Sequence, residues 1–307
     1  VIELANFSKH EFKGKESRKY LDYVLAGRIP KPGRISLCPM LTMKGKLCGD
    51  LTVACLSEVE FIVFGSGAAQ EAHRRWFENH LGFLDVKYSN RSDDFHGLAI
   101  AGPRSRDLLQ KIVREDVSND AFKFRDTKKL FVAGVPAVVN RISFTGELGY
   151  EIYVAPHFQL KLYEEIENAG KEFNIKPFGS RALMSMRLEK NWGAWTLDYR
   201  PDFTAKESGL DVFINWEKDF IGKESAMNDD SNLKLTSLIV KTSDIDVTNN
   251  ESVMKENKSI GYVTSGGYAH HVGESIAFSY LDKEDINSGK NIQVEINGEM
   301  YDSIIIN

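Results

Sequence analysis

Short apolar runs alternate with turn-forming residues from the start of the chain, and the period of those runs changes along its length. "VIELANFSKHEFKG" reads as an extended run with two aromatics. In "KESRKYLDYVLAG" the residues Tyr20, Leu21, Val24 and Leu25 fall on one helical face, and Gly27 is placed to end the helix. "ISLCPMLT", a turn at Met43-Lys44-Gly45-Lys46, "LCGDLTVACL" and "EFIVFG" then predict a three-stranded meander, followed by a helix from about Ala68 to Leu81.

The pattern then repeats in kind. "HGLAIAG" predicts a strand, Gly102-Pro103 opens a helix over "RSRDLLQKIV", and "KLFVAGVPAVVNRISFTGELGYEIYVA" predicts three strands broken at Gly134 and Gly146. After Pro156 an amphipathic helix is expected with Leu160, Tyr163, Ile166 and Phe173 inward. A further helix runs from Arg181 to about Lys190, and "NWGAWTLDYRPDFTAKESGL" is too long for a simple connector, the kind of loop that often carries function. From about Leu233 the character changes: "LKLTSLIVK", "SIGYVTS", "ESIAFSYL", "NIQVEI" and "YDSIIIN" predict strands with no helix between them, and Asn297-Gly298 marks a hairpin. The polar run "SDIDVTNNESVMKENKS" reads as a solvated loop. The expectation is α+β organisation over residues 1–230 and a small antiparallel barrel or sandwich over residues 231–307.

Composition adds exclusions. The 307 residues are 42% hydrophobic and 27% charged, ordinary for a globular chain and unlike disorder or coiled coil. Lysine and arginine total 39 against 44 acids, a net charge of −5, which offers no basic footprint for a phosphate backbone and argues against nucleic acid. No stretch reaches the eighteen or so apolar residues of a membrane helix, so a soluble protein without a membrane partner is expected. Cys38, Cys48 and Cys55 are odd in number, lack CxxC spacing and fall in two neighbouring strands, which points to reduced structural thiols. The chain opens at Val1 without Met or a signal-peptide pattern and reads as processed or as a piece of something longer.

Few motifs carry chemistry. Gly65 and Gly67 before a helix, with Asp85 farther on, form a partial dinucleotide fingerprint. Gln70 occupies its third small position, however, and the strand belongs to a meander, so a tight turn is expected. His270 and His271 are adjacent, so in a strand they point to opposite faces and cannot chelate one ion together; no metal site is expected. The informative residues are acids. Asp50 interrupts the apolar strand "GKLCGDLTV", where a buried carboxylate needs a partner or a ligand. Glu147 lies in the "TGELGYE" turn between two glycines, where little covers its carboxylate.

Six segments, in order and spanning residue 1 to about residue 280, resemble the tetrahydrofolate-binding aminomethyltransferase family of the glycine-cleavage T protein: "GKLCGDLTV", "SFTGELGYEIYV", "RALMSMRLEK", "ESGLDVFI", "KDFIGKESA" and "IGYVTSGGY". The wording from "EKNWGAWTLDYRP" onward is similar to the C-terminal folate module of dimethylglycine and sarcosine dehydrogenases. The resemblance implies a multi-lobed α+β folate-binding fold with a C-terminal antiparallel β-barrel, and an enzyme that captures a methylene or formaldehyde unit from an N-methyl or aminomethyl donor as 5,10-methylene-tetrahydrofolate. It implies Asp50 as the catalytic acid and Asp50, Glu147, Arg187 and Tyr268 as cofactor-binding residues, with Arg187 equally able to pair with Glu189 or Asp50. Tetrahydrofolate is the implied cofactor, with FAD only if an upstream domain exists. The implied partners are a small-molecule amine or methylated substrate and an upstream flavin domain or separate flavoprotein, in the cytoplasm, or in the mitochondrial matrix of a eukaryote. Two other readings remain: a tetrahydrofolate-dependent demethylase of a methylated sulfur or amine compound, and a non-catalytic assembly factor, whose cysteine motif is replaced here by "KDFIGKE".

Overall fold

In the computed structural model, which describes residues 1–289 and 291–306, the chain forms two compact units. The first comprises Val1–Met40, Gly49–Gly179 and Phe213–Ile221; the second comprises Leu41–Cys48, Ser180–Val212 and Gly222–Asn307.

The first unit is built on two five-stranded sheets. Its strands are β1 (Ile2–Glu3), β2 (Phe7–Lys13), β3 (Arg34–Leu41), β4 (Leu47–Ser57), β5 (Glu60–Ser66), β6 (Lys87–Asn90), β7 (His96–Ala101), β8 (Thr127–Val132), β9 (Val135–Asn140) and β10 (Gly149–Val154). One sheet has the order β3-β4-β5-β2-β6 and the other β8-β9-β10-β7-β1. The repetition expected from the sequence is therefore a repeated topology, strand, helix and three-stranded meander, with the leading strand returning beside the last. The helices are α1 (Ser17–Val24), α2 (Gln70–Asn79), α3 (Ser105–Ile112) and α4 (Gln159–Gly170).

Strand alternation assigns each sheet an inner and an outer face. Phe12 of β2 packs on Tyr20 of α1 and Phe77 of α2, while Tyr150, Ile152 and Val139 pack under Leu108, Leu109, Leu162 and Ile166 of α3 and α4. The opposite faces meet in a shared core of Ile35, Ala54, Ile62 and Phe64 from one sheet and Val138 and Tyr153 from the other. Asp50, Thr52 and Ala54 alternate onto this inner face, as do Glu151 and Tyr153.

One assignment in α4 differs from expectation. Leu160 is 69% exposed, and the inward positions are Leu162 and Ile166, with Tyr163 and Phe173 partly covered. The helix begins at Gln159 after a turn of 3-10 helix, and this rotates the apolar stripe. Leu162→Ala is expected to cost about 2–5 kcal/mol by leaving a cavity, and Leu160→Ser less than about 0.5 kcal/mol, as measured by denaturant unfolding.

The second unit contains α5 (Ser180–Leu188), the irregular stretch after it, α6 (Lys223–Met227) and a closed six-stranded barrel. The barrel strands are β11 (Leu233–Val240), β12 (Ser252–Lys255), β13 (Lys258–Ala269), β14 (Glu274–Asp282), β15 (Ile292–Ile296) and β16 (Glu299–Ile306), ordered β11-β14-β13-β12-β15-β16. The run read as a solvated loop contributes β12 and buries Val247 and Val253, because a barrel needs a sixth strand between β13 and β15 to close. A short helix, α7 (Lys283–Asn287), capped by the Asp282 side chain, interrupts the expected run of strands. Asn297 and Gly298 both take positive φ, as the two-residue hairpin between β15 and β16 requires.

Candidate functional site

The inner face of the first unit carries the acids that apolar packing does not explain. Asp50 stands on β4 between Gly49 and Leu51, and its carboxylate keeps some solvent access although protein surrounds it densely. That combination describes a group at the bottom of a recess. It has no ion-pair or side-chain hydrogen-bond partner among the described residues, and burial pushes its carboxyl up to about 7. No neighbouring charge contributes: desolvation drives the rise, opposed by a hydrogen bond from its own backbone amide.

Glu151 on β10 has the same character. It is only partly covered yet densely surrounded, and burial raises its carboxyl to about 7 against the opposing pull of Tyr153, the neighbouring Asn140 amide and the Lys9 ammonium. Tyr153 Oη donates to Glu151 Oε2 at 3.0 Å, and Phe64 packs on the Tyr153 ring with centroids 4.6 Å apart. β10 thus presents a carboxylate, held by a phenol, to the face that Asp50 occupies on the opposing sheet. The sequence signal was present: Glu151 follows Glu147 by four residues, and strand alternation puts it with Tyr153 rather than with the outward Tyr150 and Ile152.

Glu147 itself is exposed in the turn before β10. Arg187, on α5 of the second unit, is 1% exposed and donates to Asp198 Oδ2 at 2.7 Å and to the Trp192 carbonyl at 2.9 Å. Asp198 also accepts from the Ala194 amide at 2.8 Å and from the Thr264 and Ser265 hydroxyls. Neither Glu189 nor Asp50 is the partner of Arg187; Asp198, from the long irregular stretch, is. Glu189 instead accepts from the His271 amide at 2.9 Å. Tyr268 is partly exposed on β13; Ser185 donates to its carbonyl, and its ring lies edge-on to His270 at 5.0 Å. Cys38, Cys48 and Cys55 form no disulfide, and among the described residues no cluster of His, Cys, Asp or Glu could hold a metal ion. No helix of the described residues is long and apolar enough to cross a membrane.

With this geometry in view, two family models cover nearly the whole chain: the GCVT N-terminal domain matches residues 1–218, and the glycine cleavage T-protein C-terminal barrel domain matches residues 234–306. The chain belongs to the aminomethyltransferase family of the glycine cleavage T protein. Among curated members it is 38% identical to mitochondrial dimethylglycine dehydrogenase of Homo sapiens over 100% of this chain and 36% of that protein. It is 30% identical to the aminomethyltransferase of Caldanaerobacter subterraneus subsp. tengcongensis, covering 100% of this chain and 83% of that one. The crystal structure of glycine cleavage system aminomethyltransferase T from Bartonella henselae superposes with a TM-score of 0.88, covering 98% of this chain and 83% of that chain at 19% identity, a likeness of fold. The chain thus spans about a third of the length of the dehydrogenases and most of the length of the aminomethyltransferases. The family is one of tetrahydrofolate-dependent one-carbon transfer.

Proposed function

We propose that this chain is the folate-binding part of an enzyme that captures a methylene unit at the formaldehyde level from an N-methyl or aminomethyl donor of the dimethylglycine or sarcosine type. The observation that carries the reading is the pair Asp50 and Glu151: two densely surrounded carboxyls raised to about 7 on opposing inner faces. The residues fit the cofactor. A pterin presents its ring N–H and 2-amino group as adjacent donors, which an ionised carboxylate accepts in two parallel hydrogen bonds. Glu151, steadied by Tyr153, suits that role; Asp50, with no side-chain partner among the described residues, suits the reacting nitrogens. Tetrahydrofolate supplies N5 and N10, which take up the one-carbon unit as a bridging methylene.

Asp50 titrates close to neutral pH, so it can both donate and accept a proton at the operating pH, the condition under which a general acid–base works best. Its dense surroundings limit the water around it and strengthen its interaction with positive charge developing on nitrogen. The identity to dimethylglycine dehydrogenase across the whole chain supports a methylated amine as donor and a flavoprotein, joined or separate, as the oxidising partner.

Calorimetric titration with tetrahydrofolate tests the assignment. Glu151→Gln is expected to weaken binding by about 10- to 100-fold, the worth of charge-assisted hydrogen bonds. The exposed Glu147→Gln is expected to stay within about twofold. The reverse ranking would return the pterin contact to Glu147, and a folded wild type that does not bind would end the folate reading.

A further inference from the structure

Two arginines of the first unit converge on one neutral oxygen. Arg106, in the first turn of α3, donates from Nη2 to Asn119 Oδ1 at 2.6 Å, and Arg141, the residue after β9, donates from Nη2 to the same oxygen at 2.7 Å. An amide oxygen carries only a partial charge, whereas each guanidinium is a full cation whose N–H fork matches a carboxylate or a phosphate. Neither arginine forms an ion pair among the described residues. The acids nearby are engaged elsewhere: Asp107 by Arg104, Asp126 by Arg34, and Asp116 by the amide and hydroxyl of Ser118. Asp120, beside Asn119, is exposed and makes no ion pair among the described residues. Lys128 of β8, over the Phe122 ring at 5.2 Å, adds a third cation without an ion pair. In a chain of net charge −5, this is a local excess of positive charge.

The two guanidiniums are anchored from behind, independently of Asn119. Arg106 Nε donates at 3.2 Å to the hydroxyl of Tyr150, a 0% exposed residue of β10, and Arg141 Nη1 donates to the Phe122 carbonyl. Phe122 is itself buried, its ring 5.6 Å from that of Tyr150. The backbone of the loop also holds without the Asn119 side chain, since the Phe122 amide donates to the Ser118 carbonyl at 2.8 Å and Lys128 donates to the Ala121 carbonyl at 2.5 Å. Asn119 is exposed, and among the described residues its side chain is held by the two arginines alone. Arg141 Nε is buried and closes no hydrogen bond among the described residues, so the protein does not exhaust the donors of this pair. Turning the Asn119 amide out to water gives up one neutral acceptor; an anionic oxygen in its place gains charge-assisted hydrogen bonds from two cations already in position.

We propose that Arg106 and Arg141 form an oxyanion-binding site that takes a phosphate or carboxylate group of a small molecule in place of the Asn119 amide oxygen. Tyr150 and Glu151 are consecutive in β10 and point to opposite faces of the sheet, so this site lies on the helix-covered side, away from the inner-face acids, and does not rest on the folate reading.

Phosphorus-31 NMR of inorganic phosphate titrated into the full chain, at an ionic strength held constant with sodium chloride, tests the site. Saturable, millimolar-range binding is expected of the wild type. Asn119→Ala removes the resident acceptor and is expected to bind phosphate about three- to tenfold more tightly. Asn119→Asp supplies an anion of its own; it is expected to lose phosphate binding and to unfold at a higher temperature than wild type in phosphate-free buffer. A side chain that only staples its loop would give the opposite result, with Asn119→Ala less stable and no better at binding. Arg106→Gln and Arg141→Gln are each expected to weaken binding by at least about tenfold, the worth of a charge-assisted hydrogen bond.

Competition by acetate separates the two sources of the group. Displacement of phosphate at comparable concentrations assigns a carboxylate-accepting site, and phosphate left in place assigns a phosphate-selective one; both outcomes support the site. Should Arg141→Gln fail to fold, Arg106→Gln and Asn119→Asp decide. Absence of saturable binding by folded wild type and folded Asn119→Ala overturns the proposal, as does binding that survives unchanged in Arg106→Gln or in Asn119→Asp.

Discussion

Asp50→Asn is expected to make the protein more stable above neutral pH while lowering one-carbon transfer by at least about a hundredfold, the usual scale for loss of a general acid–base. Burial holds the Asp50 carboxyl protonated in the folded chain up to about pH 7, against the ordinary 3.8 of an exposed aspartate. Between those values the folded state binds more protons than the unfolded one, so stability falls as pH rises. The destabilisation is absent below about pH 4, grows through the interval and is complete above pH 7. Each unit is worth about 1.4 kcal/mol. Solvent still reaching the carboxylate screens part of the full shift, so the expected gain for the asparagine variant is about 2 kcal/mol at pH 8 and nothing near pH 4. Urea unfolding at the two pH values, beside a single-turnover transfer assay, checks both halves. A variant equally stable at pH 8 would mean that Asp50 ionises without cost and has a partner in solution. One that retains transfer would remove it from the chemistry. Gain in stability with loss of activity is what a group held in an unfavourable state for function produces.

Arg187→Met is expected to destabilise the second unit by about 3–5 kcal/mol, whether or not folate is present. The pair it breaks is fully internal: Arg187 and Asp198 are 1% and 0% exposed, and Asp198 keeps only the Ala194 amide and the Thr264 and Ser265 hydroxyls once the guanidinium is gone. Most of the loss is the penalty of leaving that carboxylate buried without a cation. Arg187→Met combined with Asp198→Asn should therefore recover more than half of it. Thermal unfolding of the two single variants and the double variant measures the coupling. Were Arg187 a folate contact instead, the single variant would fold with wild-type stability and lose affinity alone. Asp198 lies in the aromatic stretch whose length marked it as a functional loop; buried Tyr199, Phe203, Ala205 and Leu210 show that the stretch earns its order by packing.

The sequence by itself determined the elements and the family. Apolar period and turn residues place β3 to β5, β8 to β10, α1 to α3 and the Asn297-Gly298 hairpin, because each depends on contacts within a few residues. Six segments in order carried the family, because motif wording survives in one dimension. Asp50 was legible too, as a carboxylate in an apolar strand is anomalous wherever that strand packs. What depends on register or on distant partners was not legible. Leu160 and Leu162 are both apolar, and only the start of α4 decides which faces inward. β12 looks polar because four residues closing a barrel need just one buried side chain, Val253, to hold their place. Glu147 and Glu151 stand four residues apart in one motif; alternation puts Glu151 on the Tyr153 face of β10, but nothing local says that this face is the one another sheet covers. The tertiary structure decides it by laying the Tyr153 face of β10 against the other sheet, which withdraws water from Glu151 and leaves Glu147 in solvent. Arg187 likewise finds Asp198 eleven residues away through a turn that no period predicts. Desolvation and long-range pairing are properties of packed surfaces, and a linear pattern records only the residues that can take part in them.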